Sequence, residues 1–385
     1  MRIGIVINSS WNIFNFRMSL IKSFLNQDHE VIAIAPDDGY GQRLQDIGCE
    51  FYPLEMESKG NNPLKDLLLI RDLCSIYQKA NLDIVLHYTI KPNIYGTIAA
   101  KMLGIASINN VTGLGTLFIR ESLTAKVGKA LYRFAFQFPQ CVFFQNEDDR
   151  QLFIEQKLVS AHITDTLPGS GINVVDFKPE EFKNNHTFTF LMIARVLYDK
   201  GVLEYIEAIK LLKAQNIPVR CQLLGKIDTN AGLGIPPEQV QAWVEEGLIE
   251  YLGTVEDVKP IINEADCVIL PSYREGVPRT LIEAASLGKP IITTDVPGCR
   301  ETVKDAFNGF LCNVKDPRDL AEKMKVMLTI GEPMLRKMGA NSRQLAIEKF
   351  DVSIVIKKYD QAIYRTLKIG NAMQVGYETI ATNII

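Results

Sequence analysis

The stretch Ser272-Tyr273-Arg274-Glu275-Gly276-Val277-Pro278-Arg279-Thr280-Leu281-Ile282-Glu283-Ala284 follows directly on the apolar run Cys267 to Leu270. A strand, a glycine-containing turn and Pro278 at the expected first position of a helix aim backbone amides, Gly276 to Thr280, out of a sheet's carboxyl edge. A diphosphate suits such a place. Glu275 lies in the turn and Glu283 roughly one and a half turns into the helix, so the two carboxylates can accept hydroxyl hydrogen bonds at separate points. On spacing alone, an ordinary loop glutamate and a surface helix glutamate are the preferred reading. What weakens it is the position at a strand's carboxyl end, where α/β proteins hold ligands.

Ala194-Arg195-Val196-Leu197-Tyr198-Asp199-Lys200-Gly201 follows the apolar run Phe188 to Ile193 in the same way. Arg195, a planar fork, and Lys200, a point charge, can neutralise a leaving diphosphate, although two solvated loop cations are equally consistent with the residue types. Gly113-Leu114-Gly115 and Gly169-Ser170-Gly171 permit close backbone approach or simply turn the chain. His87 ends the run Asp83 to His87 and precedes Tyr88-Thr89-Ile90-Lys91-Pro92-Asn93, which leaves a site role and a structural role equally open. The chain has no Gly-x-x-x-x-Gly-Lys-Ser/Thr, no Gly-x-Gly-x-x-Gly after its first strand, no His-x-x-x-His and no Asp-x-Asp. A metal-held diphosphate thus gains no support, no cofactor is expected, and amides and cations must carry the chemistry.

The elements that position these residues read as short β-rich runs alternating with longer helical patterns, the mark of parallel sheets covered on both faces. Strands are expected at 2–8, 30–35, 49–52, 83–87, 106–111 and 140–145, and again at 188–193, 219–224, 249–252, 267–270 and 290–293. Two doubly wound domains follow, at 1–175 and 176–350, with the boundary in 172–187. The remaining 351–385 carries Val352, Val355, Ile356, Tyr359, Ile363 and Leu367 at helical steps, in position to pack on either domain.

With 385 residues, two or three domains are expected. Lys plus Arg number 42 against 45 Asp plus Glu, a net charge of −3 that offers no whole-molecule field for nucleic acid. The seven cysteines stand singly and read as reduced core residues of a cytosolic protein. Met1 to Asn8 reads as a first strand rather than a signal peptide, and no uncharged stretch approaches the roughly 20 residues of a bilayer span, so membrane contact is expected to be peripheral.

The Glu275 to Glu283 segment, the following Gly288-Lys289-Pro290 and Pro297-Gly298 turns, Arg195 with Lys200-Gly201, and Gly169-Ser170-Gly171 together resemble, in order, the retaining nucleotide-sugar glycosyltransferases of family four. The resemblance spans nearly the whole chain and implies the GT-B fold, two Rossmann-like domains facing a cleft, with the acceptor on the first and the donor on the second. It implies that Glu275 binds donor-sugar hydroxyls, Glu283 the ribose and Arg195 and Lys200 the diphosphate, with Gly169, Ser170 and Gly171 on the donor side. His87 is similar to a histidine that closes the fourth strand near the sugar. Asn15-Phe16-Arg17, Tyr88 to Asn93 with Lys91, and Val111-Thr112-Gly113-Leu114-Gly115 are similar to bacterial enzymes that add N-acetylgalactosamine to undecaprenyl-diphosphate-linked sugars. The implied substrates are a UDP-sugar and a glycan or lipid-linked saccharide. A glycine-rich first loop, frequent in the family, is missing from Asn8 to Asn15.

One further feature fits a lipid-linked acceptor. Leu117 to Phe138 interleaves Arg120, Lys126, Lys129 and Arg133 with aromatic and aliphatic residues, as in helices that lie on anionic membranes, and equally as in a core helix with snorkelling cations. Two rivals share the architecture: a UDP-N-acetylglucosamine 2-epimerase-like isomerase and a non-catalytic nucleotide-sugar-binding subunit.

Overall fold

Every pairing between strands is parallel, in two separate sheets. The computed structural model describes residues 1–56, 62–114, 123–180, 187–228 and 234–382. It divides into one unit of Met1–Ser170 with Val352–Ile385 and a second of Gly171–Asp351, parting inside the Gly169-Ser170-Gly171 turn and just ahead of the 172–187 stretch.

The first unit holds β1 (Arg2–Val6), β2 (Glu30–Ala35), β3 (Glu50–Pro53), β4 (Ile84–Tyr88), β5 (Ala106–Val111), β6 (Cys141–Phe144) and β7 (Thr164–Thr166), in the order β3-β2-β1-β4-β5-β6-β7. Its helices are α1 (Ser10–Asn26), α2 (Gly41–Asp46), α3 (Pro63–Lys79), α4 (Thr97–Leu103), α5 (Leu123–Ala135) and α6 (Glu147–Glu155), with a wide turn, Pro92–Gly96, leading into α4. The inner strands read as near-continuous apolar runs because both faces are covered.

In the second unit, β8 (Thr189–Ile193), β9 (Arg220–Leu224), β10 (Glu250–Tyr251), β11 (Cys267–Leu270), β12 (Ile291–Thr294) and β13 (Gly309–Cys312) adopt the order β10-β9-β8-β11-β12-β13. They are covered by α7 (Val202–Lys213), α8 (Pro237–Glu245), α9 (Lys259–Glu264), α10 (Arg279–Ser286), α11 (Pro317–Thr329) and α12 (Glu332–Leu345). The core gathers Phe190, Leu191, Tyr205, Ile269, Leu281 and Met324 between sheet and helices.

The last helix, α13 (Val352–Thr382), belongs to the first unit although the chain reaches it from the second. Val355, Tyr359 and Ile363, four residues apart, enter the core that also holds Ile13, Ile21 and Phe24 of α1. The Tyr359 hydroxyl accepts from Asn110 Nδ2 at 3.0 Å, and Lys358 pairs with Asp165 at 3.0 Å. All seven cysteines are free thiols.

Candidate active site

In the second unit the strand order reverses between β8 and β11, so loops leaving the carboxyl ends of two neighbouring strands flank a topological switch point. Arg195 and Lys200 ride on the first loop, Glu275 on the second. Two glycines brace them. Gly201 has φ +74°, and a Cβ there would lie 2.0 Å from the Pro271 carbonyl oxygen; Gly298 has φ +81°, and its Cβ would lie 2.2 Å from that of Gly276. Only glycine allows this backbone contact, so the loops keep fixed spacings.

Lys200 Nζ is ion-paired with Glu275 Oε1, each side chain 16% exposed, and Ser272 Oγ donates to the same oxygen at 2.7 Å. Burial on its own pushes the Lys200 ammonium toward neutrality, but the Glu275 charge and hydrogen bond outweigh it, so the pKa rises and the cation is secure. Arg195 stands 60% exposed, 3.7 Å from Asp228, and its charge is felt at Lys200. Both α7 and α10 start at this edge, after Gly201 and at Pro278, with no side chain capping either. Their amide ends carry the positive pole of the helix dipole.

Glu283 is a buried residue, 8% exposed, rather than a surface glutamate. Burial raises its pKa against the pull of Arg279, whose Nε donates to Glu283 Oε1 at 2.8 Å while Nη1 donates to the Gly171 carbonyl. Arg279 thus contributes its side chain, whereas sequence reasoning assigned it only a backbone amide. Val277 packs with Ile172, Val174, Ile282 and Phe350. Thr280 is half-buried in the first turn of α10. Gly169 and Gly171 both have positive φ, 66° and 70°, in the turn where the units part. Sequence reasoning quoted Ser272 without giving it a role and did not name Asp228; the signal for each is its place beyond a strand's carboxyl end.

In the first unit, His87 is fully buried, and both ring nitrogens are engaged. Its Nδ1 lies 3.1 Å from Asn109 Oδ1 and its Nε2 2.9 Å from the Tyr77 hydroxyl. Since Asn109 Nδ2 donates to the Asn93 carbonyl at 3.0 Å, its oxygen accepts from His87 Nδ1–H, leaving Nε2 to accept from Tyr77. Burial lowers the His87 pKa to about 4, so the ring is neutral. Gly96 admits it: a Cβ there would lie 2.6 Å from the ring. Of the two roles left open for His87, these contacts describe the internal one.

Three of the acceptor-side residues are likewise engaged within the unit, Arg17 and Asn93 buried and Lys91 half-buried. Arg17 is 6% exposed with its guanidinium 4.3 Å over the Tyr88 ring; Lys91 pairs with Asp66 at 2.8 Å; Asn93 Nδ2 donates to the Asn110 carbonyl at 2.9 Å. Asn15, Thr112 and Gly113 remain half-buried, and Gly115 lies outside the described residues. Of the basic helix, Arg120 lies outside them too. Lys126 is exposed, Lys129 half-buried, and Arg133 donates to the Gln156 and Lys157 carbonyls at 3.1 and 3.2 Å, which end α6. Tyr132 and Phe136 are buried in the core, so half of the aromatic pattern is packing. Among the described residues no group of three or more His, Cys, Asp or Glu is placed to hold a metal ion, and no helix is long and apolar enough to cross a membrane.

This arrangement, cations and two helix starts around one glutamate, can hold a diphosphate beside a hydroxyl-bearing group. The family model "Glycosyl transferases group 1" matches residues 175–345, and "Glycosyl transferase 4-like" matches residues 2–146. The chain belongs to these glycosyltransferases. Similar to the transferase is the N,N'-diacetylbacillosaminyl-diphospho-undecaprenol alpha-1,3-N-acetylgalactosaminyltransferase of Campylobacter jejuni, 29% identical over 96% of this chain and 100% of that protein. The UDP-Gal:alpha-D-GlcNAc-diphosphoundecaprenol alpha-1,3-galactosyltransferase of Escherichia coli is 26% identical over 77% of this chain and 78% of its own. Among solved structures, HepE of Anabaena in complex with UDP-glucose superimposes with TM-score 0.79 at 18% identity, over 95% of this chain and 100% of that one, which shows the GT-B fold. The transferase is therefore an enzyme, and the isomerase and non-catalytic readings give way.

Proposed function

We propose that the transferase moves a sugar from a UDP-sugar to a polyprenyl-diphosphate-linked saccharide, with retention at the anomeric carbon, in the building of a cell-surface glycan. The observation that carries this is the Lys200 and Glu275 pair at the β8/β11 switch point, between the uncapped starts of α7 and α10. The names of the two relatives, both acting on diphospho-undecaprenol-linked sugars, supply the acceptor class.

In this reading the donor diphosphate settles on the two helix starts with Lys200 and Arg195, drawing part of the Lys200 charge away from Glu275. Glu275 then accepts hydroxyls of the sugar, and Glu283, held by Arg279, those of the ribose. The acceptor oxygen bonds to the anomeric carbon on the face the phosphate leaves, the bond to the phosphate oxygen breaks, and the acceptor's proton passes to that oxygen. Charge development on the phosphate is met by fixed cations and amides, the largest lever such sites have. His87 acts by holding the turn Pro92–Gly96 in place rather than as a reagent. Asn15, Lys91, Thr112 and Gly113 are the acceptor-side residues with surface to offer. Because Lys200, Arg195 and the helix starts bring the positive charge, turnover needs no added divalent cation. The free thiols suit a reducing compartment, and the enzyme works at the cytoplasmic face of the membrane that holds its acceptor.

The test is a donor panel of UDP-, GDP- and ADP-sugars with a short-chain polyprenyl-diphosphate saccharide, in the presence of EDTA, followed by mass spectrometry and anomeric proton couplings. An α-linked product from one α-linked UDP-sugar is expected. Transfer only from GDP- or ADP-sugars, no transfer at all, or a β-linked product sinks the reading.

A further inference from the structure

Glu275 can hold a sugar only while its loop keeps its spacing from the loop that carries Lys200, and a displacement of about 1 Å at such a group costs on the order of 100-fold in rate. In the free enzyme the Lys200 and Glu275 pair itself ties the two loops. An arriving diphosphate draws on that tie, so other contacts must keep the spacing during transfer. Two glycines fix the ends of the β11 loop: Gly201 lies against the Pro271 carbonyl, and Gly298 against the carbonyls of Glu275 and Gly276. Tyr273 lies between these ends, and its contacts lead back to the Lys200 side.

The Tyr273 amide donates to the carbonyl of Asp199, the residue before Lys200, at 2.9 Å. Its hydroxyl donates to Glu204 Oε1 at 2.6 Å. Glu204 is the acidic residue in the first turn of α7, one turn beyond Lys200. The phenol therefore ties its loop to a helix, and that helix is well anchored, since Tyr205, Ile206 and Ile209 sink into the core of the unit. The ring is held from a third side: Lys315 Nζ, in the turn between β13 and α11, lies 4.8 Å from its centroid. Tyr273 and Glu204 are both half-buried. Burial, and then the Glu204 hydrogen bond and charge, push the Tyr273 pKa up, so the hydroxyl keeps its proton and remains a donor. A hydrogen bond accepted by a carboxylate is of the stronger kind.

We propose that Tyr273 and Glu204 form a clasp that positions Glu275 for the sugar being transferred, a role that rests on the reading of Lys200 and Glu275 as the donor site. Both are positioning residues and act through Glu275. The clasp matters most when the donor is bound: with Lys200 shared by the diphosphate, the phenol and the neighbouring backbone bond keep the β11 loop at its distance from α7. UDP alone brings no sugar to Glu275 and should not feel the clasp, whereas the sugar in transfer should.

The experiment compares the full chain with Tyr273→Phe, Glu204→Leu, Glu204→Gln and the double variant Tyr273→Phe/Glu204→Leu. It reads kcat with the donor that the panel above selects, UDP affinity by titration calorimetry, and the urea midpoint of the second unit from Trp243 in a Trp11→Phe background. Tyr273→Phe keeps the ring beside Lys315 and removes only the hydroxyl. Tyr273→Phe and Glu204→Leu should each lower kcat about tenfold, the worth of one hydrogen bond, and lower the midpoint, with UDP affinity within about twofold of wild type. The double variant should regain most of the midpoint, because apolar groups on both sides leave nothing unpaired, yet stay about tenfold slow. Glu204→Gln still accepts from the phenol and should keep kcat within about threefold of wild type. A double variant whose kcat returns with its midpoint shows a pair that serves stability alone and overturns the proposal. So does a folded Tyr273→Phe with wild-type kcat, a Glu204→Gln as slow as Glu204→Leu, or a loss of UDP affinity in step with kcat. If the wild type transfers from no nucleotide sugar, the donor reading fails and takes the clasp with it; if the wild type transfers and the variants match it, the clasp alone fails.

Discussion

The two units share one topology and use its switch point in opposite ways. In the second, α7 and α10 start without a capping side chain, and Lys200 and Arg195 add charge beside them. In the first, the start of α1, which follows β1 at the equivalent reversal, is filled from within. Ser9 Oγ accepts from the Asn12 amide at 3.2 Å, Asp38 Oδ1 accepts from the Trp11 amide at 2.8 Å, and both Ser9 and Ser10 hydroxyls donate to Asp38. Burial pushes the Asp38 carboxyl up, but these hydrogen bonds win and its pKa is lowered, so it is a resident anion on the dipole of α1. One switch point is closed by its own carboxylate; the other keeps its positive field for a ligand. A fold of this kind supplies two potential anion sites, and side chains decide which of them is offered.

The sharpest way to break that contrast is Lys200→Ala. If the second unit's field serves the transition state, kcat should fall about 1,000-fold at saturating donor, with a smaller loss of UDP affinity by titration calorimetry. Glu275 would be left partly buried without its cation, so the far-UV and Trp243 signals must first show a folded second unit. A folded variant that keeps kcat within about tenfold of wild type removes the contrast.

Much of this was legible in the sequence, for reasons that differ by element. Glu30–Ala35 and Cys267–Leu270 are strands at the expected bounds because inner parallel strands run almost wholly β-branched and apolar, and Ala106–Val111 keeps its expected bounds although Ser107, Asn109 and Asn110 interrupt the pattern. Thr164–Thr166 and Gly309–Cys312 were missed; they are short edge strands, the first of them entirely polar and neither buried throughout. Lys200 and Glu275 were read as one site from separate loops, and they do meet. Burial was not readable. Arg17 is roofed by Tyr88 near Tyr359, which lies far along the chain on α13, and Lys91 finds Asp66 on a helix that the chain leaves before β4. Neither contact could be read because each partner is tertiary. The filled start of α1 is the same case: the lack of glycine in Asn8 to Asn15 was visible, but not that Asp38, beyond β2, occupies the place.

The units can also be set against each other through protons. His87 has a folded pKa of about 4, below the ordinary value of about 6.5, so below pH 6.5 the unfolded chain takes up a proton that the folded unit refuses. Stability of the first unit should therefore be full above pH 7, decline as pH falls through 6.5, and level off below about 4, a loss of up to about 3 kcal/mol from this residue. The chain's two tryptophans, Trp11 and Trp243, fall one in each unit. Trp243→Phe leaves a reporter for the first unit and Trp11→Phe one for the second. Urea unfolding between pH 4 and 8 should show this His87-linked decline in the first reporter alone, and Asn in place of His87 should flatten it. An identical decline in both, or a slope that survives His87→Asn, puts the protonation elsewhere.

The smallest effect bears most directly on the filled switch point. Asp38→Ala removes the acceptor of the Trp11 amide and of two serine hydroxyls, which should cost the first unit about 1 to 2 kcal/mol by the Trp11 reporter. With Ser9 still accepting from the Asn12 amide but the Trp11 amide open, inorganic phosphate should recover part of the lost stability in Asp38→Ala and do nothing for the wild-type first unit, because an anion binds an open helix start and not one already occupied. Phosphate that stabilises both alike means Asp38 was never the stand-in for a ligand. In that event the difference between the units lies in the cations on the β8 loop and not in what closes the start of α1.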